Sequence, residues 1–132
     1  MKFKNNDINT IPFFFIIGRP RTGTTLIRTL FDAHPNVVIP VESPIILNLY
    51  FKYKKEKNWT SEKLLNLYQD VIKQKHFDDW TIDKEKLKSD LLECGSKITL
   101  FEIFRIIYLN YKSFYKKDNI ELIGDKNPYY SI

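Results

Sequence analysis

Five consecutive apolar residues, Phe13 to Ile17, run directly into Gly18-Arg19-Pro20-Arg21-Thr22-Gly23-Thr24-Thr25, and Leu26, Ile27, Leu30 and Phe31 follow at helical spacing. An apolar run this short, bounded by Pro12 and Gly18, reads as a buried central strand. Strand, glycine-bounded loop and helix together make the opening unit of an α/β domain, and they commit the chain to a parallel sheet with helices against it.

The rest of the sequence fits that frame. Val37 to Ile39 predicts a short second strand, set off by His34-Pro35 and Pro40. A helix is expected from Ser43 or Pro44 through Phe51. Thr60 or Ser61 caps the next one, with Leu64, Leu65, Tyr68, Val71 and Ile72 on one face. Asp83 is placed to cap a helix holding Leu87, Leu91 and Leu92, and Gly95 sits where a helix commonly stops. Thr99 and Glu102 form a capping box, behind which Phe104, Tyr108, Tyr111 and Tyr115 predict a striped helix closed by Lys112, Lys116 and Lys117. Asp118-Asn119 turns the chain into Ile120 to Ile123, read as a strand returning parallel to the first. Gly124-Asp125-Lys126-Asn127-Pro128 is then a loop leaving its carboxyl end. In open parallel sheets ligands gather at the carboxyl ends of strands, so both glycine-marked loops are expected on one edge.

The fold class expected is α/β, a P-loop NTPase-like parallel sheet with flanking helices, incomplete in this chain. Two clear strands leave a sheet without neighbours, and a parallel sheet needs both faces covered. The chain is therefore read as one domain's N-terminal part over 1–132. Strand, loop and helix occupy 13–33, a helical section 43–117, and a strand with its lysine loop 120–128.

Residues 18 to 25 match the pattern of Gly, four residues, Gly, Lys, then Ser or Thr, except that Thr24 stands in the lysine's place. The physical logic survives the exchange. Backbone N–H groups around Arg21 to Thr25 can curl around phosphate oxygens, and the following helix points its positive end at them. Arg21 supplies the cation, with a guanidinium able to pair two oxygens at once. A nucleotide kinase or hydrolase would want the lysine and an acid for magnesium. Taken alone, the loop is also compatible with a plain tight turn.

Composition narrows the partners. The 132 residues carry 21 Lys and Arg against 16 Asp and Glu, a net charge of +5, which suits an anionic ligand. Nucleic-acid binding is not expected, because the excess is modest and would leave the glycine loop unexplained. The single cysteine, Cys94, cannot form an internal disulfide, and no Cys/His spacing resembles a metal site. The apolar stretch Ile11 to Ile17 is too short for a membrane span and lacks a cleavage site after it. Asn58-Trp59-Thr60 is a chance match to a glycosylation acceptor. A reducing cytoplasm is the simplest compartment.

The stretch from Phe13 to Pro44 resembles the 5′-phosphosulfate-binding segment of sulfotransferases, in the style of the tyrosylprotein and related bacterial branches. The resemblance rests on Pro20-Arg21-Thr22-Gly23-Thr24-Thr25, Asp32-Ala33-His34-Pro35, Glu42, and the late segment Gly124-Asp125-Lys126-Asn127-Pro128. Thr22 replaces the usual serine and keeps its hydroxyl. Ser43-Pro44 stands where the tyrosylprotein branch carries Thr-Arg.

The resemblance implies a sulfotransferase that uses 3′-phosphoadenosine 5′-phosphosulfate (PAPS) as co-substrate without a metal, acting on an unidentified acceptor hydroxyl or amine. Arg21, Thr22, Gly23, Thr24 and Thr25 would hold the 5′-phosphosulfate. Glu42 would be the general base, and Lys126 would sit with Arg21 near the reacting sulfate. An arginine and a serine for the 3′-phosphate would follow residue 132, so this piece alone is expected to be inactive. Each residue also has a plainer reading: Glu42 as a first-turn helix acid, Lys126 as a solvated loop lysine. Asp125 is read as orienting its loop. His34, Asp32 and Arg28 are read as structural, and Cys94 as a small buried group. The aromatic and lysine cluster from Tyr50 to Trp59 either borders an acceptor site or is core packing with a wet face. The rival functions are a non-catalytic anion-binding module or truncated gene product and, with less support, a P-loop nucleotide kinase or hydrolase.

Overall fold

The computed structural model describes residues 11–17 and 23–127. Three strands form one parallel sheet: β1 (Phe13–Ile16), β2 (Val37–Val38) and β3 (Leu122–Lys126), in the order β1-β3-β2. Five α-helices lie between them: α1 (Thr24–Asp32), α2 (Ile45–Tyr53), α3 (Ser61–Ile72), α4 (Lys84–Leu92) and α5 (Leu100–Leu109), with a 3₁₀ turn at Phe77–Trp80. This is the expected α/β architecture. Among the described strands the one latest in sequence, β3, lies in the middle, so β1 and β2 are joined only through it.

Successive residues of β1 point to opposite faces, and a helix meets each face. The ring of Phe14 lies 5.6 Å from that of Phe31 on α1, and the ring of Phe13 lies 5.0 Å from that of Tyr108 on α5. The main core sits on the α5 side. There Trp59, Phe77, Trp80, Phe104 and Tyr108 are buried with Leu64, Leu67, Leu87 and Leu91. The helix starts follow their caps. Thr60, Asp83 and Thr99 each accept a hydrogen bond from the backbone N–H three residues on, of Lys63, Lys86 and Glu102 respectively.

Two boundaries differ from the sequence reading. The strand expected at Ile120 to Ile123 is shifted to Leu122–Lys126, so Gly124, Asp125 and Lys126 belong to β3 and not to a loop. At its start, the N–H groups of Glu121 and Leu122 both donate to the Asn36 carbonyl, and the pairing of β3 with β2 begins only at Leu122, opposite Val37. At its end, Phe14, Phe15 and Ile16 of β1 pair with Gly124, Asp125 and Lys126 and carry the strand onward. Glycine is needed in that register: a Cβ on Gly124 would lie 2.6 Å from two ring carbons of Phe14 and 2.8 Å from Cγ1 of Ile39.

The second correction concerns α5, which ends at Leu109, so Tyr111 and Tyr115 do not extend its stripe and Lys112, Lys116 and Lys117 do not close it. Asn110 stops the helix by turning its side-chain amide back to the Ile106 carbonyl at 2.9 Å and across to Asp90 at 3.1 Å. Beyond it, Tyr111 and Ser113 are drawn to Asp32 at the end of α1, at 2.8 and 2.7 Å.

The orientation of α1 is unusual. Its Thr24 and Asp32 are buried, whereas Leu26, Ile27, Leu30 and Phe31 are exposed. Polar anchors explain this. Arg28 donates to the Ile39 carbonyl at 2.6 Å, and Asp32 accepts from the Ile39 N–H at 2.9 Å, fastening the helix to the end of β2. Lys117 completes the fastening by donating to the carbonyls of Asp32, His34 and Val37, a cation at the negative end of α1. Burial lowers the Lys117 pKa, and the neighbouring Asp32 opposes that shift. His34 has the structural role expected of it, accepting the Asn36 N–H at Nδ1.

Candidate active site

The three described strands are parallel, so their carboxyl ends share one edge. Ile16 closes β1 opposite Lys126 of β3, and Glu42 follows β2 by a few residues. Three segments far apart in sequence are therefore delivered to one place. Their side chains meet there: Lys126 Nζ lies 3.1 Å from Glu42 Oε2 and 3.4 Å from Thr25 Oγ1. Lys126 is almost enclosed, with 9% of its side chain exposed, while Glu42 keeps 37% of its own in contact with solvent. The ammonium is held in place and the carboxylate remains accessible.

The helix side of the site is set by Gly23. It caps α1 at φ 84°, ψ 5°, a left-handed conformation that glycine adopts without strain. Having no side chain, it gives the first N–H groups of the helix, at the positive end of the dipole, no side-chain cap. Thr24 is buried beneath them and Thr25 is exposed beside Lys126. Of the five residues assigned to the phosphosulfate, Gly23, Thr24 and Thr25 are thus at this edge. Arg21 and Thr22 lie outside the described residues.

The supporting contacts are largely ones the sequence did not disclose. Asn127 is fully buried, donates its side-chain amide to the Ser43 carbonyl at 3.2 Å, and donates its N–H to the Ile16 carbonyl. It thereby locks the end of β3 to both β1 and the Glu42 segment. Ser43 is buried as well and donates to the Lys75 carbonyl at 2.7 Å. The Trp80 indole N–H holds the Val41 carbonyl at 2.8 Å. Glu42 is therefore flanked by two anchored residues. Asp125, read as an orienting residue, accepts from the Tyr108 hydroxyl at 2.5 Å in the core. The signal available in the sequence was the polar pair Asp125 and Asn127 bracketing Lys126 at the end of an apolar run, since polar groups buried there must find partners.

Other candidates separate from this edge. In the aromatic and lysine cluster, Tyr53 and Trp59 are core residues, while Lys52 pairs with Asp70 at 2.7 Å and Lys63 with Glu56 at 2.7 Å. Cys94 is half-buried, with its thiol 3.4 Å from the Asp90 carbonyl. Among the described residues no group of three or more His, Cys, Asp or Glu is arranged to hold a metal ion. No helix among them is long and apolar enough to cross a membrane.

The chain is similar to Protein-tyrosine sulfotransferase A of Caenorhabditis elegans, with 46% identity over 67 residues. That stretch covers 48% of this chain and 18% of the relative, so the chain spans less than a fifth of the relative's length. No solved structure matches the chain. The sequence pattern of the Sulfotransferase family matches residues 12–130, from the residue before β1 to those beyond Lys126. Sheet, glycine-capped helix and converging side chains all fall inside that match, and the chain belongs to the sulfotransferase family.

Proposed function

We propose that the protein carrying this chain transfers a sulfuryl group from PAPS to an acceptor hydroxyl or amine. The observation that carries the reading is the meeting of Lys126, Glu42 and Thr25 at the carboxyl edge of the sheet, beside the N-terminus of α1. A cation, a base and an anion-binding helix end are the groups this chemistry needs. The donor supplies an activated sulfuryl group whose leaving group is a phosphate.

The chain's part is to position groups and neutralise charge. The N-terminus of α1 and the Thr25 hydroxyl face the 5′-phosphosulfate oxygens, with Arg21 and Thr22 of the preceding loop assigned to the same group. Glu42 takes the proton from the acceptor as the acceptor atom forms its bond to sulfur. The sulfur–oxygen bond to the phosphate breaks, its electron pair stays with the phosphate oxygen, and Lys126 meets the charge that develops there. The enclosed stem of Lys126 keeps the ammonium at that position.

The relative's name makes protein tyrosine the first acceptor to try. Ser43-Pro44, beside Glu42, is committed to structure here: Ser43 holds Lys75, and Pro44 precedes α2. Recognition of the acceptor must come from other residues.

The test is transfer of radiolabelled sulfate by the intact protein and by Glu42→Gln. A positioned base contributes about 10²–10⁴-fold, so turnover should fall by that range. Turnover equal to that of the unaltered protein would remove Glu42 from the role.

A further inference from the structure

Glu42 belongs to no helix or strand: β2 ends at Val38 and α2 begins at Ile45. Its segment is nevertheless gripped on both sides, and both grips come from one short turn. The Val41 carbonyl accepts from the Trp80 indole N–H at 2.8 Å, and the Ser43 hydroxyl donates to the Lys75 carbonyl at 2.7 Å. Lys75 and Trp80 bound the turn that contains the 3₁₀ helix, rooted in the core by Phe77 and Trp80 with 2% and 0% exposed. The turn is held in an unfavourable shape. His76 at φ 66° and Thr81 at φ 54° are both left-handed, a conformation uncommon outside glycine and an outlier for a β-branched residue. Backbone strain of this kind persists only where surrounding contacts over-determine it. Here those contacts include the two that reach the residues flanking Glu42.

We propose that the Lys75–Trp80 turn is a positioning bracket for Glu42, with Ser43 and Trp80 as positioning residues for the base. The bracket also reaches the cation. The Trp80 ring packs edge-on against Tyr108, centroids 4.8 Å apart, and Tyr108 holds Asp125, the neighbour of Lys126. Asn127, on the other side of Lys126, donates its side-chain amide to the Ser43 carbonyl. Carboxylate and ammonium are therefore located against one aromatic side chain, although they stand 84 positions apart in sequence. A base on an irregular segment gains from this, because it must lie within hydrogen-bond reach of the acceptor while sulfur is attacked. This role rests on the reading of Glu42 as the base, and it ties Ser43 and Trp80 to the rate of transfer, not to donor binding.

The test is a double-variant comparison on the intact protein. A tyrosyl peptide, a phenol, a sugar alcohol and an amine are offered with radiolabelled PAPS, and kcat is measured with whichever the unaltered protein sulfates. Ser43→Ala and Trp80→Phe are made alone and in a Glu42→Gln background, and PAPS affinity is followed by calorimetry. Each single change should lower kcat about ten-fold, inside the roughly 10²-fold that a misplacement of about 1 Å can cost, with PAPS affinity unchanged. In the Glu42→Gln background neither should lower the residual rate further, because there is no base left to place. General damage to the fold would instead lower the rate in both backgrounds and weaken PAPS binding. Ser43→Ala decides the matter if Trp80→Phe does not fold. Full kcat in Ser43→Ala, or an equal loss with and without Glu42, would overturn the bracket while leaving the transfer reading intact. No transfer to any of the acceptors by the unaltered protein would sink both.

Discussion

Asp32 offers the most direct test of how the site edge is held together. Its carboxylate is buried with 1% exposed and accepts from the Ile39 N–H on one oxygen and from the Tyr111 and Ser113 hydroxyls on the other. Lys117 Nζ lies 3.6 Å away and Arg28 4.0 Å away. Replacing Asp32 by alanine removes every one of these acceptors. The Ile39 N–H, on a fully buried residue, would be orphaned at a cost of about 1–3 kcal/mol. Lys117, with 17% of its side chain exposed, would lose its counter-charge. Uncompensated charges of this kind bring the total for Asp32→Ala to about 3–5 kcal/mol.

Asp32→Asn is a milder change. Its oxygen can still receive the Ile39 N–H, and its amide can donate to the two hydroxyls, which rotate to accept. What is lost is the charge on those hydrogen bonds, about 1–2 kcal/mol. Urea denaturation of the intact protein and both variants, followed by circular dichroism, should therefore give a graded loss with alanine well below asparagine. Equal losses in the two variants, or a loss under about 1 kcal/mol for Asp32→Ala, would refute the view that this carboxylate fastens α1 to β2 and the segment after α5.

Two further outcomes follow from the structure. Gly124→Ala places a methyl group against Phe14 and Ile39 and should cost about 1–3 kcal/mol as overpacking; a thermal or urea midpoint indistinguishable from the unaltered protein would show that the β1–β3 register tolerates a side chain there. Cys94 should alkylate slowly: burial, followed by the charges of Asp90, Glu102 and Glu93, pushes its thiol pKa up to about 11 from 9.0. The thiolate fraction at pH 8 is then roughly a hundredth of that of an unperturbed thiol, so iodoacetamide should react about two orders of magnitude more slowly than with a free cysteine. The sign also fixes the pH window for stability. A raised folded pKa favours the native state below about pH 9, and that contribution fades as pH rises from 9 toward 11. A rate at pH 8 equal to that of a free thiol would contradict it.

Much of the fold was legible because its signals are local. The glycine before α1 and the cap residues Thr60, Asp83 and Thr99 act through the backbone within a few positions, and each appears where expected; the apolar run does form β1, but as an edge of the described sheet with none of its residues buried, not as the buried central strand its composition suggested. The errors share one cause. Whether Gly124 to Lys126 is loop or strand depends on β1, more than a hundred residues away. Whether α5 runs on past Leu109 depends on Asn110 meeting Asp90 and on Tyr111 meeting Asp32. Neither partner is visible in the local pattern.

The candidate site divides in the same way. The sequence by itself determined which chemical groups exist and in what order they leave the sheet: a glycine-bounded loop, a glutamate after the second strand, a lysine at the end of the last. Backbone sterics and hydrophobic periodicity are enough to specify that much. Only the tertiary structure decided that Lys126, Glu42 and Thr25 share a few ångströms, that Asn127 and Ser43 anchor the segments carrying them, and that α1 turns its polar side inward. The Lys126–Thr25 contact alone joins residues 101 positions apart. These contacts form because parallel pairing places β3 between β1 and β2, far from both in sequence, and buried polar groups must then find whichever partners that pairing brings within reach.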